Sequence, residues 1–337
     1  MTGKNKFQAI DTWLPDTMLR QEEEIEDTNI KTRNLLIVHE GCHIKPSTSQ
    51  GWETSCSLIQ LLFFPGAQPP FSFIISSQTI AVAVKNSCLQ SLLNNEEFIR
   101  DVSRQETLWR AVPEAQLLRR LIDIRDCHNS RDYGLKKHRL KSFKEAFSKH
   151  VPEYKGSAQK DAHEFLSLFL NEVKSLSPHL KRKAALLGRS YTCPVEDHHV
   201  FKMENMRTCK SCGHQSSRQE EFTSLSLDLV PEGSVEDMLG TYLKEQKIEF
   251  TCDCGGTTSE VKSSFDTLPR VLIFHLKRFG FTKTHKLQKV NDPVRLQRDL
   301  VVSSKQGDGR YGLISIISHY GGTESGKTTD LLQTEMI

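Results

Sequence analysis

The sequence lacks an excess of charge of either sign. Its 45 lysines and arginines nearly balance 42 aspartates and glutamates, for a formal net charge of +3 at pH 7. Binding to nucleic acid or to an anionic membrane through overall charge requires a much larger basic surplus, so we expect neither partner. Two local basic runs, Lys136 to Lys141 and Lys181 to Lys183, are interpreted as solvated faces, with nuclear import as the alternative for the first.

The chain also lacks an uninterrupted apolar run long enough to span a bilayer. Residues 54–84 contain no charged side chain, but Pro65, Pro69 and Pro70 divide them into shorter pieces. We expect residues 55–84 to form two buried strands, or a strand and a helix, around a proline turn. Residues 1–27 are polar and do not resemble a cleavable signal peptide. These patterns predict a soluble protein of the cytoplasm, the nucleus or both.

The cysteines do not suit a framework of disulfides, because their number, nine, is odd. Four of them form a CxxC and a CxC pair, each followed by glycine: Cys209, Cys212, Cys252 and Cys254. Four thiolates in two knuckles suit tetrahedral structural zinc in a reducing compartment. The second pair is one residue shorter than usual, so an empty, vestigial finger tip is the alternative. Cys193 and His214 are reserve ligands that we interpret as loop residues.

The clearest helix in the sequence runs from Gln159 to Lys174. Apolar side chains recur at helical spacing and predict a buried face: Ala162, Phe165, Leu166, Phe169, Leu170 and Val173. Asp161 and Glu164 lie three residues apart near the N-terminal end, where the helix dipole stabilises carboxylates. Such an acidic pair can receive a basic peptide, and an ordinary solvated edge is the alternative.

Other periodic segments predict a helical lobe followed by strands. Helices are expected at residues 97–125 with a break at Pro113, at 140–151, and at 234–243 with Ser234 as the cap. The basic, leucine-bearing segment 176–188 is expected to cover the helical lobe. Strands are expected at residues 34–39, 221–229, 271–274, 292–301 and 311–322. His275 follows the apolar run at 271–274, and we interpret it as a packed, hydrogen-bonded histidine rather than a catalytic base.

Several strings of the sequence, in this order, resemble the ubiquitin-specific proteases, a family of cysteine deubiquitinases. They are LQSL at 89–92, QKDAHEFL at 159–166, LPRVLIFHLKRF at 268–279 and YGLISIISHYGG at 311–322, with the paired cysteines between the second and third. The resemblance covers residues 86–326. It implies an α+β, papain-like cysteine-protease fold with a helical thumb, zinc-ribbon-like fingers and a β palm that is incomplete at its C-terminal end.

The resemblance also implies a division of the chain and a partner. Residues 1–84 would form a segment of uncertain structure, 85–327 the protease-like domain and 328–337 a divergent tail. Within the domain, 85–190 would be the thumb, 191–262 the fingers and 263–327 a partial palm. Ubiquitin or ubiquitinated proteins would be the partners, cleaved after the C-terminal glycine of ubiquitin. Asp161 and Glu164 would contact the arginines of the ubiquitin tail. A zinc ribbon that binds nucleic acid is a further alternative, which the balanced charge does not favour.

The catalytic residues that the resemblance implies are missing from their expected positions. The nucleophile falls on Ala83 and the general base on Lys327, which has no acceptor lone pair at neutral pH. The third member of the triad would lie beyond residue 337. A five-residue deletion would bring Cys88 to the nucleophile's place, with Asn86 and Ser87 capping its helix. The sequence thus predicts a ubiquitin-binding domain that is catalytically impaired or truncated, and the alternative is an active cysteine deubiquitinase that uses Cys88.

Overall fold

Helices form most of the first part of the chain that the structure describes, and strands form most of the rest. The structure is a computed structural model that describes residues 33–39, 45–46, 51–53, 80–156, 161–281, 284, 287–290, 292–321 and 326–332. The chain divides after residue 31, and all of these residues belong to the unit Thr32–Ile337. The predicted α+β class is confirmed. The elements predicted for residues 55–79 lie outside the described residues.

The helical part contains eight α-helices and two short 3-10 turns among the described residues. They are α1 (Ile80–Leu93), α2 (Glu96–Arg104), α3 (Glu106–Trp109), Pro113–Ala115 in 3-10 form, α4 (Gln116–Cys127), α5 (Tyr133–His150), Pro152–Tyr154 in 3-10 form, α6 (Ala162–Ser175), α7 (Ser177–Leu186) and α8 (Pro194–His198). The predicted break at Pro113 is confirmed. The helix predicted at 140–151 begins earlier, because the Asp132 side chain accepts a hydrogen bond from the Leu135 amide at 2.9 Å and caps it.

Helix α6 buries the apolar face that its spacing predicts. All six predicted core residues are buried. Phe165 meets the ring of Phe147 from α5 edge to face, with centroids 4.9 Å apart, and the ring of Phe147 is 5.0 Å from that of Tyr154. Aromatic pairs of this kind add to the stabilisation from buried area alone. This packing fixes α6 against α5 in the centre of the helical core.

Helix α1 differs from its prediction. It begins at Ile80, so Asn86 and Ser87 lie inside the helix and the expectation that they cap it is wrong. The physical reason is that residues 80–85, IAVAVK, contain no glycine or proline that would end a helix, and the helix continues through them. Cys88 and Leu89 are buried in the helical core as a result.

Ten strands form the main sheet. The elements of this part of the chain are β1 (Arg33–His39), β2 (Lys45–Pro46), β3 (Gly51–Glu53), β4 (Phe201–Cys209), β5 (Gln215–Phe222), β6 (Leu225–Asp228), α9 (Val235–Leu243), β7 (Gln246–Glu249), β8 (Thr258–Phe265), β9 (Val271–Lys277), β10 (Phe279–Phe281), β11 (Leu287–Lys289), β12 (Arg295–Gln297), β13 (Asp299–Ser304), β14 (Gly307–Gly321) and β15 (Gly326–Leu332). The order in the main sheet is β5-β4-β8-β13-β14-β1-β9-β6, with β15 beside β14 and β7 beside β8. β10 pairs with β11, and β12, β3 and β2 form a small sheet.

Strand β1 confirms the prediction at residues 34–39 and lies in the middle of the sheet. It runs parallel to both β14 and β9, with Ile37 opposite Ile316 on one side and Phe274 on the other. Its side chains alternate between two cores, because Leu36 and Val38 join the helical core and Leu35 and Ile37 join the core on the other face. A segment before residue 85 therefore supplies a central strand of the sheet. The division of the chain into thumb, fingers and palm stays a prediction.

The strand predicted at residues 221–229 is two strands in the structure. β5 ends at Phe222 and pairs with β4, whereas β6 begins at Leu225 and pairs with β9. The helix predicted at 234–243 is confirmed as α9, with a complete capping box. Ser234 Oγ accepts from the Asp237 amide at 3.1 Å, and the Asp237 carboxylate accepts from the Ser234 amide at 2.7 Å.

Two stacked histidines join the helical part to the sheet. The rings of His163 in α6 and His275 in β9 are nearly parallel, with centroids 4.2 Å apart. His163 Nε2 lies 2.9 Å from Ser224 Oγ, and His275 Nδ1 lies 3.1 Å from Ser226 Oγ. His275 is thus packed and hydrogen-bonded, as predicted. Burial lowers the pKa of both rings, that of His275 to about 4 with a further contribution from the neighbouring His163, while Asp161 opposes both shifts.

Acid should therefore weaken the fold before the carboxylates titrate. At pH values between 6.5, the ordinary histidine pKa, and about 4, the pKa of His275 in the folded protein, the unfolded chain binds a proton at His275 that the folded chain does not bind. The free energy of unfolding should fall by about 1.4 kcal/mol per pH unit for one such group as pH decreases through this window. Denaturant unfolding from about pH 7 to about pH 4.5 measures this slope. His275→Gln should reduce the slope and the exposed control His179→Gln should retain it, and equal slopes in all three proteins would contradict the prediction.

Candidate functional site

The acidic pair identified in the sequence lies at the N-terminus of α6. Asp161 is the N-cap, and its Oδ1 accepts a hydrogen bond from the Glu164 amide at 2.6 Å. The exposed Glu164 carboxylate accepts a hydrogen bond from the hydroxyl of Tyr154 at 3.3 Å. Burial and the neighbouring Glu164 raise the pKa of Tyr154, so its hydroxyl remains a donor. Two side-chain contacts therefore orient the carboxylates at this end of the helix.

Glu164 retains the capacity to bind an incoming cation. Among the described residues, no lysine or arginine forms an ion pair with it. An exposed carboxylate that accepts a hydrogen bond from a tyrosine hydroxyl is suited to accept further hydrogen bonds from a guanidinium or an ammonium group.

Cys88 lies inside the protein rather than at a helix end. It is the ninth residue of α1, its side chain is fully buried, and its Sγ donates to the Ala162 carbonyl at 3.4 Å. A helix N-terminus lowers the pKa of a thiol, but the middle of a helix does not provide that field. The position thus removes the argument for an activated thiolate that the predicted caps had supplied. The role of Cys88 as a nucleophile stays a prediction.

The two segments in which the resemblance expects nucleophile and base belong to neighbouring elements. Ala83 lies in the first turn of α1, and α1 packs beside β15. In the β14–β15 hairpin, Lys327 lies opposite Tyr320, and Thr328 lies opposite His319. His319 and Lys327 thus lie on opposite arms of the hairpin. The fold thus brings both segments together, but neither position carries a thiol or an imidazole.

The four cysteines of the two pairs form a cluster. Their sulfur atoms all lie within 4.8 Å of one another, with 3.7 Å between Cys209 and Cys254 and 3.8 Å between Cys212 and Cys252. A tetrahedral ion with metal–sulfur bonds of about 2.3 Å places its sulfurs about 3.8 Å apart. The donor set and its spacing therefore fit a metal ion such as zinc. The cluster does not include Cys193, which is buried in the helical core.

Glycines allow both cysteine turns to close. Gly213 and Gly255 have φ of +72° and +83°, and their amides donate to the carbonyls of Cys209 and Cys252 at 2.9 and 2.8 Å. The shorter CxC pair thus reaches the cluster through a left-handed glycine that follows it. The amides of Cys212 and Ser211 lower the pKa of Cys209 to about 6, whereas hydrogen bonds with neighbouring sulfurs and burial raise the pKa of Cys212 to about 12. Cys209 is therefore the member of this pair that more readily forms the thiolate that a metal requires.

A second group of titratable side chains was not found from the sequence. His198 Nε2 lies 2.8 Å from Asp101 Oδ2, and an Arg270 guanidinium nitrogen lies 3.1 Å from Asp197 Oδ2 and 3.5 Å from Asp101 Oδ2. These residues come from α2, α8 and the segment before β9, so no local spacing could reveal the group. Arg270 supplies the cation that the two carboxylates attract, and we interpret the group as an ion-pair network between the helices and the sheet.

A cavity of about 360 Å³ opens beside this network. Besides Asp101, Asp197 and Arg270, its walls are formed by five residues: Arg104, Gln105, Ser190, Thr192 and Pro194.

The described helices include none that combines the length and the hydrophobicity needed to cross a bilayer.

Comparison with known proteins identifies relatives of the chain. Ubiquitin carboxyl-terminal hydrolase 37 from Homo sapiens is 34% identical over 243 residues, which cover 65% of this chain and 24% of that protein. Ubiquitin carboxyl-terminal hydrolase 29 from Homo sapiens is 28% identical over 244 residues, covering 65% of this chain and 26% of that protein. The chain thus spans about a quarter of the length of these relatives.

Solved structures with the same fold are also found. The SAGA Ubp8/Sgf11/Sus1/Sgf73 DUB module bound to ubiquitin aldehyde contains a chain that matches with a TM-score of 0.63 and 20% identity, over 76% of this chain and 60% of that one. A SAGA DUB module bound to monoubiquitin matches with a TM-score of 0.64 and 22% identity, over 75% and 59%. These likenesses establish the papain-like α+β fold.

The family follows from the extent of the match. The family model described as ubiquitin carboxyl-terminal hydrolase matches residues 84–332, well over half of the 337 residues. This range contains α1 from residue 84 onward, helices α2 to α9 and the strands from β4 to β15. The chain therefore belongs to the ubiquitin carboxyl-terminal hydrolase family and carries a domain of the ubiquitin-specific protease type.

Proposed function

We propose that this domain binds the C-terminal tail of ubiquitin and hydrolyses the bond that follows it poorly or not at all. One observation carries the proposal. The helix α1 and the β14–β15 hairpin lie side by side, yet Ala83 and Lys327 occupy the positions where the resemblance expects a thiol and an imidazole. Helix α6, whose Asp161 and Glu164 the resemblance assigns to the ubiquitin tail, contacts α1.

The chemistry of these two residues supports the proposal of an impaired domain. An alanine methyl group cannot attack a carbonyl carbon, and a lysine ammonium has no lone pair with which to take a proton at neutral pH. The members of a catalytic triad act as a unit, so losing any one of them forfeits most of the rate enhancement. Substrate binding does not depend on the nucleophile and can persist without it.

The acidic end of α6 supports ubiquitin as the partner. The resemblance assigns the arginines of the ubiquitin tail to Asp161 and Glu164, and Glu164 is exposed and held by Tyr154. The similar SAGA DUB modules were solved bound to ubiquitin aldehyde and to monoubiquitin. A charged pair between a guanidinium and a carboxylate at the mouth of a cleft would orient the extended tail.

An active deubiquitinase that uses Cys88 is the second candidate function. Its support is the sequence Asn86-Ser87-Cys88, which places a thiol shortly before LQSL. The buried position of Cys88 in the middle of α1 and its bond to the Ala162 carbonyl favour a packing role instead.

A ubiquitin probe with a C-terminal electrophile separates these two functions. We expect the purified chain to bind monoubiquitin, to release no detectable fluorophore from ubiquitin-aminocoumarin, and to form no adduct with ubiquitin vinyl sulfone by mass spectrometry. Ala83→Cys should form an adduct at residue 83, because the thiol then stands in the first turn of α1. The matched control is Ala185→Cys, an exposed position on α7 that should not react. An adduct mapped to Cys88 in the unaltered chain would overturn the proposal of an impaired domain.

Charge reversal on α6 tests the binding site. Glu164→Lys should weaken ubiquitin binding by about tenfold, which corresponds to about 1.4 kcal/mol, since it replaces an attraction for the basic tail with repulsion. Titration calorimetry measures the affinity, and Glu97→Lys provides the same charge change at another exposed position near a helix N-terminus. The assignment is wrong if both variants bind ubiquitin as the unaltered chain does.

We also propose that the cysteine cluster holds one structural zinc ion, with Cys209, Cys212, Cys252 and Cys254 as ligands. The zinc would tie the β4–β5 turn to the loop between β7 and β8, within the residues predicted as fingers. Thiolate ligands persist in a reducing compartment, which fits the cytoplasm or the nucleus.

Metal analysis tests the zinc proposal. The purified chain should contain about one zinc per molecule. Cys254→Ser should lose most of it and lower the thermal stability of the fingers, because the binding free energy of a structural metal is part of the folding free energy. Cys127→Ala, outside the cluster, should keep the metal. Retention of zinc by Cys254→Ser would exclude the four-cysteine site.

A further inference from the structure

The C-terminal end of α7 presents two leucines to solvent. Leu186 is 86% exposed and Leu187 is 56% exposed, and Leu186 is the most exposed of the large apolar side chains that the structure describes. Single exposed leucines are common on proteins, but an adjacent pair on an ordered element marks a candidate interaction site.

The backbone holds this pair in place. Gly188 has a φ of +64°, and the amides of Gly188 and Arg189 donate to the carbonyls of Ala185 and Ala184 at 3.1 and 2.9 Å. This is the hydrogen-bond pattern of a Schellman motif, which satisfies the last carbonyls of the helix. The leucines thus lie on a defined helix end, so binding there requires little ordering of the chain.

The surroundings of the leucines are positively charged. Between Glu172 and Glu196 the sequence contains five lysines and arginines and no acidic residue. Within the described part of the chain, Arg182, Lys183 and Arg189 have no carboxylate within ion-pair distance, whereas Lys181 pairs with Glu196 at 2.9 Å. We call the surface formed by Arg182, Lys183, Leu186, Leu187 and Arg189 the α7 shelf.

The α7 shelf continues into the polar cavity described above. Arg189 donates to Thr107 Oγ1 at 3.1 Å and thereby lies against α3. Ser190 and Thr192, which follow it, line the cavity together with the exposed guanidinium of Arg104. An extended segment seated on the leucines would meet hydroxyl and guanidinium groups as it continued toward the cavity.

We propose that the α7 shelf is a docking site for a partner polypeptide whose segment combines apolar side chains with flanking carboxylates. The leucines provide the apolar contact, and Arg182, Lys183 and Arg189 attract the carboxylates. An anionic membrane fits less well, because the shelf adjoins a cavity whose hydroxyl and guanidinium groups can form hydrogen bonds with an extended polypeptide backbone. The shelf shares no residue with the acidic end of α6, with α1 or with the β14–β15 hairpin, so its partner is distinct from the ubiquitin tail.

A defined peptide tests the proposal on the full chain. The probe is a fluorescein-labelled peptide with the sequence Asp-Glu-Leu-Phe-Glu-Asp, and fluorescence polarisation follows its binding. We expect saturable binding that weakens with added salt. A peptide with serines in place of its leucine and phenylalanine should bind at least about tenfold more weakly, and so should one with lysines in place of its acids.

Variants locate the site and separate it from ubiquitin binding. The double change Leu186→Ser and Leu187→Ser should weaken peptide binding by about tenfold, and so should Arg182→Glu with Arg189→Glu. Leu135→Ser, at an exposed leucine on α5, is the matched control and should change nothing. Because the leucines are exposed, the thermal stability and the ubiquitin affinity of the double serine variant should match those of the unaltered chain.

Three results would overturn the proposal. The first is the absence of saturable peptide binding at protein concentrations up to about 1 mM, because a dissociation constant above that value corresponds to a binding free energy weaker than about 4 kcal/mol. The second is binding that the double serine variant retains in full. The third is binding of vesicles containing phosphatidylserine that depends on Leu186 and Leu187 and that the peptide does not displace, because the occupant would then be a lipid surface. Failure of ubiquitin binding would leave the shelf unaffected, since its test does not use ubiquitin.

Discussion

The burial of one strand, β1, between β14 and β9 is the constraint on which the rest of the structure depends. Its two faces serve two different cores, with Leu36 and Val38 against the helices and Leu35 and Ile37 on the opposite side of the sheet. Arg33 at its start donates to the carbonyls of Leu268 and Pro269 at 2.8 and 3.1 Å. Without this strand, the parallel edges of β14 and β9 would be unpaired and their apolar side chains exposed.

The sheet in turn positions every group of the candidate site. It supports α6 through the stacked rings of His163 and His275, and it carries the β14–β15 hairpin beside α1. This arrangement brings α1, α6 and the hairpin next to one another. Core side chains fix the two helices, because Leu89 and Leu92 of α1 and Phe165 and Phe169 of α6 are buried in the same helical core.

In the cysteine cluster, the backbone sets the positions of the four sulfur atoms. The left-handed glycines and the strand pairing of β4 with β8 bring the four sulfurs to spacings that suit a tetrahedral ion. The ion-pair network around Arg270 is likewise built from residues of separate elements, since it joins α2, α8 and the segment before β9.

Much of the secondary structure could be predicted from the sequence, because the strongest sequence patterns involve residues that are close together in the chain. The apolar spacing of α6, the capping box of α9 and the continuous apolar run of β9 each depend on neighbouring residues, and each is present in the structure. The paired cysteines and the family resemblance were likewise readable from short strings. The start of α1 was not predicted correctly. Asn86 and Ser87 have side chains that can cap a helix, but the residues before them are also helical, so the helix begins at Ile80 instead.

Only the tertiary structure decided the long-range relations. The partners of β1 lie more than two hundred residues away, and the members of the Arg270 network are separated by up to 169 positions, so no spacing in the chain could reveal them. The exposure of Leu186 and Leu187 could not be predicted either, because the sequence does not show whether a leucine at the end of a helix packs against another element. The sequence by itself determined α6, α9, β9 and the cysteine turns, since apolar periodicity, helix caps and glycine turns depend on neighbouring residues. Which of those segments meet was decided by burial of surfaces far apart in the chain.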